Sequence, residues 1–474
     1  MTEVKGTNRQ QLERLDKESL IEMVLVLAER IQKLEDQIAK TSRNSGKPPS
    51  SDGLKKPKTS SLRQKGQRAT GGQVGHEGHT LKMVEKPQSV IHHPLYQCRA
   101  CGHSLMDVAP SRLEKRQVFD IPPVQVEVTE HQAEVKACPH CHKEVKADFP
   151  IGVTQAVQYG NQLRAQVSYL NTYQLLPWQR ICDLIEDFYQ HRPAEGLIAS
   201  SNEQLVEAVD PSLTEIWRQL QQAEIAHFDE SGLRVEGKLH WLHVASTPTL
   251  TYYGVDPKRG QKGMDAIGIL SEFRGRALHD HWQPYFNYDQ CQHGLCNAHH
   301  LRELIFIVEQ YGQTWAHEMV QLLLGIKDEV TQLPPEALAL PLDRLEAYSQ
   351  QYDTLIVQGL ALNPQPPQPP GKRGPKKQTA PKNLLDRLQT YKSETLAFMF
   401  DRRLPFDNNL AERDIRMIKV KHKVSGSFRT LLGAETFCAI RSYISTVRKH
   451  GFNVIHQIYN AFNDTPFIPL FLDG

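Results

Sequence analysis

Asp229, Asp280 and Glu412 stand where three carboxylates could hold divalent metal against a phosphodiester. Two-metal cleavage of that bond needs carboxylates that bridge ions about 3.5 to 4 Å apart, so that the attacking and leaving oxygens are both stabilised. With 54 Asp and Glu in the chain, a bare count of three proves nothing, and placement must decide. Asp229 closes the strand-like run IAHFD, in which alternation sets Phe228 on the opposite face. Glu236-Gly237 then signals a hairpin, and LHWLHVA and LTYYGV read as two further strands. After a crossover helix expected over roughly 262 to 272, Asp280 ends the short strand RALHD, beside Asp229 in a neighbouring position.

Glu412 lies in FDNNLAERDIRMIKVKHK, a helix that Asp407 or Asn408 would cap. Ala411, Ile415 and Ile418 share its buried stripe, and Asn408, Glu412 and Arg416, spaced by four, line the flank. The stretch that follows carries Arg413, Arg416, Lys419, Lys421, Lys423 and Arg429 against the single acid Asp414. Beside a metal-binding carboxylate, such a run reads as a clamp for DNA phosphates.

Cys98/Cys101 and Cys138/Cys141 form two CxxC pairs with 36 residues between them. Each pair puts two sulfurs on one tight turn, and two such turns supply the tetrahedral shell of a structural zinc. A further group, His279, His281, His293, His299 and His300 with Cys291 and Cys296, lies near Asp280. We expect these side chains to pack beside the active site or contact substrate. The CxxH spacing of Cys296 and His299 leaves a second zinc site as the alternative.

The elements that must position these residues make a multidomain α+β chain. Residues 8–40 show an a/d pattern through Leu20, Val24, Leu27, Ile31, Leu34 and Ile38, a short coiled coil that implies a homodimer or higher oligomer. A basic flexible linker (41–90), rich in Ser, Pro, Gly and Lys, can follow phosphates through counterion release. The zinc-binding module takes 91–150, and a helical, helix-turn-helix-like region broken near Pro177, Pro193 and Pro211 takes 155–222. The catalytic domain is expected over 223–300 and 383–462, interrupted by a helical insertion with a Pro-rich basic loop (301–382). The start MTEVKGTNRQ has no apolar segment of a secretion signal, and no apolar run approaches the roughly 18 residues of a membrane helix. A cytoplasmic, nucleoid-associated location without membrane contact is the expectation. The formal net charge of +2 says little, because the charge is uneven along the chain.

Nearly end to end, the chain resembles the bacterial insertion-sequence-sixty-six transposases of the TnpC type. NSGKPPSSDG (44–53), GGQVGHEGHTL (71–81), the CxxC pairs, HFDESG (227–232), the strand to Asp280, CNAHHLREL (296–304) and DNNLAERDIR (407–416) come in the family's order. The resemblance implies a ribonuclease-H-like DDE domain with Asp229, Asp280 and Glu412 as the catalytic, Mg2+- or Mn2+-binding triad, and places Cys296 and His299 in the family's CxxH. It further implies cleavage at the ends of an insertion sequence and strand transfer of the 3′-hydroxyls into target DNA. Terminal inverted repeats, target DNA and small accessory proteins of the same element would be the partners. The chain departs from the family in His-Asp-His-Trp around Asp280, in CNAHHLREL and in KVKHKVSGSFRT, which marks a subgroup. The alternatives are an inactive or domesticated DNA-binding regulator and a ribonuclease-H-like nuclease that cuts without joining.

Overall fold

The structure, a computed structural model, describes residues 15–41, 44, 81–122, 124–365 and 378–470. The basic stretch up to residue 80 (apart from Asn44) and the centre of the Pro-rich loop (366–377) lie outside these residues. The chain divides into two compact units, one of residues 58–127, the other of 1–57 with 128–474. In the smaller unit, the described chain is largely extended and exposed. It is tied by an isolated bridge between Gln97 and Ser104, and by Gln117, whose side chain bonds both the N–H and the C=O of Val84.

In the larger unit, α1 (Lys17–Ala39) is capped by Asp16, whose carboxylate accepts from the Ser19 N–H at 2.7 Å. Of its apolar stripe, Leu20 and Leu27 are half-buried, whereas Val24, Ile31, Leu34 and Ile38 remain 52–82 % exposed. Near its end, Tyr311 donates to Asp36 at 2.6 Å. The hairpin β1 (Val135–Ala137) and β2 (Glu144–Lys146) carries the second CxxC pair on its turn.

α2 (Asn161–Ser168), a π-helical turn (Tyr169–Tyr173), α3 (Trp178–Tyr189) and α4 (Glu195–Gln222) follow. The chain breaks near Pro177 and Pro193 as expected, but α4 runs straight through Pro211. A proline inside a helix forfeits one backbone hydrogen bond and crowds the preceding turn. Here Leu205, Val209, Ser212 and Ile216, all buried on either side, hold the helix together across it.

β3 (Ile225–Val235), β4 (Lys238–Ser246) and β5 (Thr251–Asp256) pair antiparallel. The β3–β4 turn puts both Glu236 (φ 53°) and Gly237 (φ 74°) in the left-handed region, as a two-residue hairpin turn requires. α5 (Gln261–Ile267) is shorter than expected, because Gly268 ends it at φ 78° and Ile269, Leu270 and Phe273 turn into the core. β6 (Arg276–His279) then lies parallel to β3, and β7 (Gln292–Leu295) parallel to β6, giving the sheet order β5-β4-β3-β6-β7 among the described residues.

The helices α6 (Asn297–Tyr311), α7 (Thr314–Thr331), α8 (Leu342–Leu362), α9 (Ala380–Thr390) and α10 (Lys392–Phe400) share one core around Trp315, Tyr352 and Leu385. The core of these helices therefore continues beyond residue 382, where an insertion was expected to end, and includes Leu384, Leu388, Leu396 and Met399.

α11 (Asn409–Ser425) returns to the sheet, and α12 (Leu431–Lys449) and α13 (Val454–Ala461) complete the fold. One face of the sheet packs Leu233, Leu242, Val244 and Tyr253 against Ala411, Ile415, Ile418 and Phe437. On the other, Ala226, Phe228 and Ala277 meet Ile216, Leu220 and Phe273. The stripe expected on the Glu412 helix is thus the stripe that is buried.

Candidate active site

Register places the first two carboxylates. Ile225, Ala226 and His227 pair with Arg276, Ala277 and Leu278 in parallel. Continuing that register by two residues sets Asp229 opposite Asp280, just past the end of β6. The Asp229 carboxyl is pushed well above its usual range, first by burial and then by the negative charges of Glu230, Asp280 and Glu412, while the Glu230 N–H offers partial relief at 2.9 Å. Asp280 accepts from the Trp282 N–H at 2.8 Å, an Asx turn that fixes its side chain as the chain leaves the strand.

Glu412 comes from the first turn of α11. Its Oε1 is buried without a hydrogen-bond partner, 3.9 Å from His299 Nδ1, and its Oε2 lies 3.9 Å from Arg416. The start of that helix is held to the sheet by Asn408. Asn408 occupies the N-cap position, yet its side chain makes no cap and serves elsewhere. Its amide donates to Phe228 O at 2.8 Å and faces His227 Nδ1 at 2.9 Å, and its backbone N–H donates to Cys296 Sγ at 3.1 Å. Asp407, the other expected cap, accepts from the Asn409 N–H at 3.2 Å. Asn408→Ala leaves the Phe228 carbonyl and the His227 ring unpaired in the interior, so a loss of about 1–3 kcal/mol per orphaned group is expected in denaturant unfolding.

Sequence reasoning missed Glu230. It is buried beside Asp229, takes an ion pair from Arg259 at 2.7 Å and a hydrogen bond from the Tyr285 hydroxyl at 2.5 Å. Arg259 in turn lies over the rings of Trp241 and Trp282, 4.8 and 4.0 Å from their centroids. Burial and Asp280 push the Glu230 carboxyl up, and Tyr285 and Arg259 draw it back down. Two acids in succession were the available signal, but strand alternation would have sent the second one away from Asp229.

Of the six cations expected to clamp phosphate, Arg413, Arg416, Lys419, Lys423 and Arg429 are exposed. Lys421 is not. It is buried, donates to Gly426 O at 2.9 Å and sits 3.7 Å over the Phe428 ring, with burial bringing its ammonium down to about 8. Asp414, the lone acid of that run, is a structural group. It accepts from Ser246 (2.7 Å), Thr251 (3.0 Å) and Lys449 (2.8 Å), tying α11 to β4, β5 and α12.

The histidine-rich segment divides. His279 is fully buried, stacks on Tyr285 at 4.5 Å and meets His293 at 3.0 Å, and burial draws its imidazole down to about 3. His300 packs against His281 and Asn297, and Cys291 donates to Tyr288 O. These are core groups beside the carboxylates. Cys296 and His299 differ. Together with Glu412 they are the group that, among the described residues, brings three ligand atoms within 4.8 Å of one another.

The two CxxC turns are built alike. Cys98 accepts the Gly102 N–H and donates to His103 O, and Cys138 accepts the His142 N–H and donates to Lys143 O. Gly102 (φ 73°) and His142 (φ 56°) both adopt the left-handed conformation. Backbone N–H groups of Ala100 and Cys101 lower the Cys98 thiol below its usual range, and those of Cys141 and His140 do the same for Cys138. Each turn is thus already shaped to favour thiolate, the form a zinc ion takes.

The model of the transposase IS66 family matches residues 156–436, which span the whole sheet and all three carboxylates. The chain belongs to the IS66 transposase family. The zinc-finger binding domain of transposase IS66 matches residues 96–142, covering both CxxC pairs, and a family of unknown function (DUF6444) matches residues 7–82. No curated protein compared with the chain matches it. Membership makes this IS66-family protein a transposase with a zinc-binding domain, an enzyme that binds DNA. No helix among the described residues is long and apolar enough to cross a membrane.

Proposed function

We propose that this IS66-family transposase cuts DNA at the ends of its element and transfers the freed 3′-hydroxyls to target DNA, using Asp229, Asp280 and Glu412 as ligands for two divalent ions, Mg2+ or Mn2+. The observation that carries this reading is the charge crowding at Asp229. Glu230, Asp280 and Glu412 all press their charge on this buried carboxyl, and Arg259, the cation paired with Glu230, is committed there. Such a site fits divalent cations, which hard carboxylate oxygens suit. Bound there, the ions would neutralise the reacting phosphate and lower the pKa of the attacking hydroxyl. The sheet order, with three antiparallel strands followed by two parallel ones, supports a ribonuclease-H-like catalytic domain interrupted by the α6–α10 helices.

The protein's own groups do the rest. Asn408 fixes the depth of Glu412 against the sheet, Trp282 N–H orients Asp280, and Arg259 with Tyr285 holds Glu230 in place behind Asp229. The exposed Arg413, Arg416, Lys419, Lys423 and Arg429 would grip the DNA backbone on either side of the scissile bond. Replacing Arg416 or Lys419 by Ala should weaken DNA binding evenly across sequences and flatten its salt dependence by about one unit of slope, whereas Lys421→Met should leave that slope unchanged. Titrations at several salt concentrations check both.

The four cysteines, Cys98, Cys101, Cys138 and Cys141, would close around one structural zinc and, with the α2–α4 region and the basic linker, recognise the terminal repeats. The exposed stripe of α1 supports pairing with a second copy, which would bring two element ends together. The decisive assay incubates the full chain and Mg2+ with DNA carrying the repeats that flank its own gene. Free 3′-hydroxyl ends joined to a target support transposition. Cleavage without joining would make it a nuclease, and neither, with DNA binding intact, a regulator.

A further inference from the structure

Two buried polar atoms at the edge of the site have no partner. His299 Nδ1 and Glu412 Oε1 face each other across 3.9 Å, too far for a hydrogen bond, and each is shielded from solvent. Leaving such atoms unsatisfied in the interior is unfavourable, so a group that meets both is expected there. Cys296 supplies the third atom of the group, all within 4.8 Å of one another. Local structure makes the arrangement: Cys296 is the N-cap residue of α6, and the His299 N–H bonds to its carbonyl at 3.1 Å, so the first turn of the helix carries both side chains. α11 brings Glu412 to them, with the Asn408 N–H already bonded to the sulfur.

We propose that Cys296, His299 and Glu412 form a second cation site, selective for a borderline-soft divalent ion of the zinc class and distinct from the all-carboxylate site. Sulfur, imidazole and carboxylate together suit zinc, whereas Mg2+ prefers oxygen alone. Around a tetrahedral ion, such donors stand roughly 3.3–3.6 Å apart, given bond lengths of about 2.0–2.3 Å. Small side-chain rotations close the present gaps to that value. Binding forms a metal–sulfur bond and releases the Cys296 thiol proton to solvent. Three protein donors leave a fourth position open. Sharing Glu412 lets the soft ion orient, or compete for, a carboxylate that the proposed catalytic reading also uses, but the site stands without that reading.

The test strips the purified full chain with a chelator, adds Zn2+ alone and counts bound ions per chain by mass spectrometry. The parent should hold one ion more than His299→Gln and Cys296→Ser; Asp229, Asp280 and Glu412 are intact in all three chains, so any ions held by that triad cancel from the difference. An unchanged count in His299→Gln overturns the proposal. His299 is a quarter exposed, so this variant should fold even where Cys296→Ser does not. As a second measurement, the chain with Cys98, Cys101, Cys138 and Cys141 all changed to Ser should still give a thiolate-to-cobalt absorption band with Co2+. Absence of that band from the folded variant would likewise overturn it.

Discussion

Asp229→Asn and Asp280→Asn should each lower DNA end cleavage by roughly 10³-fold or more, since losing one ligand of a metal site forfeits several kcal/mol of transition-state stabilisation. DNA binding should stay within about twofold, because neither residue belongs to the exposed basic face. Asp280 is the sharper test of the pair, for its His-Asp-His-Trp setting departs from the family pattern. Stability should move the other way. The Asp229 carboxyl is raised above its usual range in the folded chain, so the fold holds its proton more tightly than the unfolded chain does. In the metal-free protein the ionised group costs stability in full above that folded pKa; the cost shrinks as pH falls below it and is gone only below the ordinary carboxylate range of the unfolded chain. Asp229→Asn removes the charge, so its thermal midpoint without metal at neutral pH should equal or exceed the parent's. A midpoint well below the parent's would mean that the carboxylate is a structural group.

Asp414→Ala is expected to be the most damaging change to the fold among the acids of the α11 region, at about 3–5 kcal/mol in denaturant unfolding. The carboxylate ends the hydrogen bonds of Ser246 and Thr251, and it neutralises Lys449, which is largely buried. Without Asp414, Lys449 keeps its contacts with the Thr247 and Leu250 carbonyls but lies as an unpaired charge in the interior. Adding Lys449→Met should therefore recover much of the loss, since removing both charges is far less costly than stranding one. If the double variant is as unstable as the single one, the damage comes from Ser246 and Thr251 rather than from the buried charge.

These two aspartates show what the sequence could and could not reveal. Asp229 was legible as a strand residue, but the strand read as ending on it runs on to Val235 before the hairpin turn, and Asp280 was legible because a short strand follows a crossover. Glu412 was legible from the Ala411, Ile415 and Ile418 stripe, which is buried as its period implies. The two CxxC turns were legible from spacing alone.

What escaped depends on contacts between distant segments. Lys421 looks like any other cation in a basic run, yet the chain reversal at Gly426 brings Phe428 beneath it and buries it. Asp414 looked like a stray acid because its partners lie more than 30 residues away or further. Asn408 reads as a helix cap, but the sheet and Cys296 claim its hydrogen bonds. Pro211 reads as a break, and only the packing of α4 overrides it. In each case tertiary partners decided a question that local chemistry left open.

Whether Asp229, Asp280 and Glu412 converge on one metal site can be read out by iron-directed backbone cleavage. Fe2+ substituted for Mg2+ in the full chain, with ascorbate and peroxide, cuts the polypeptide beside the residues that hold the metal. Cuts are expected close to residues 229, 280 and 412 together, competed away by excess Mg2+ and lost near 229 and 280 in Asp229→Asn. Cuts confined to the neighbourhood of 296, 299 and 412, with none near 229 or 280, would contradict that convergence.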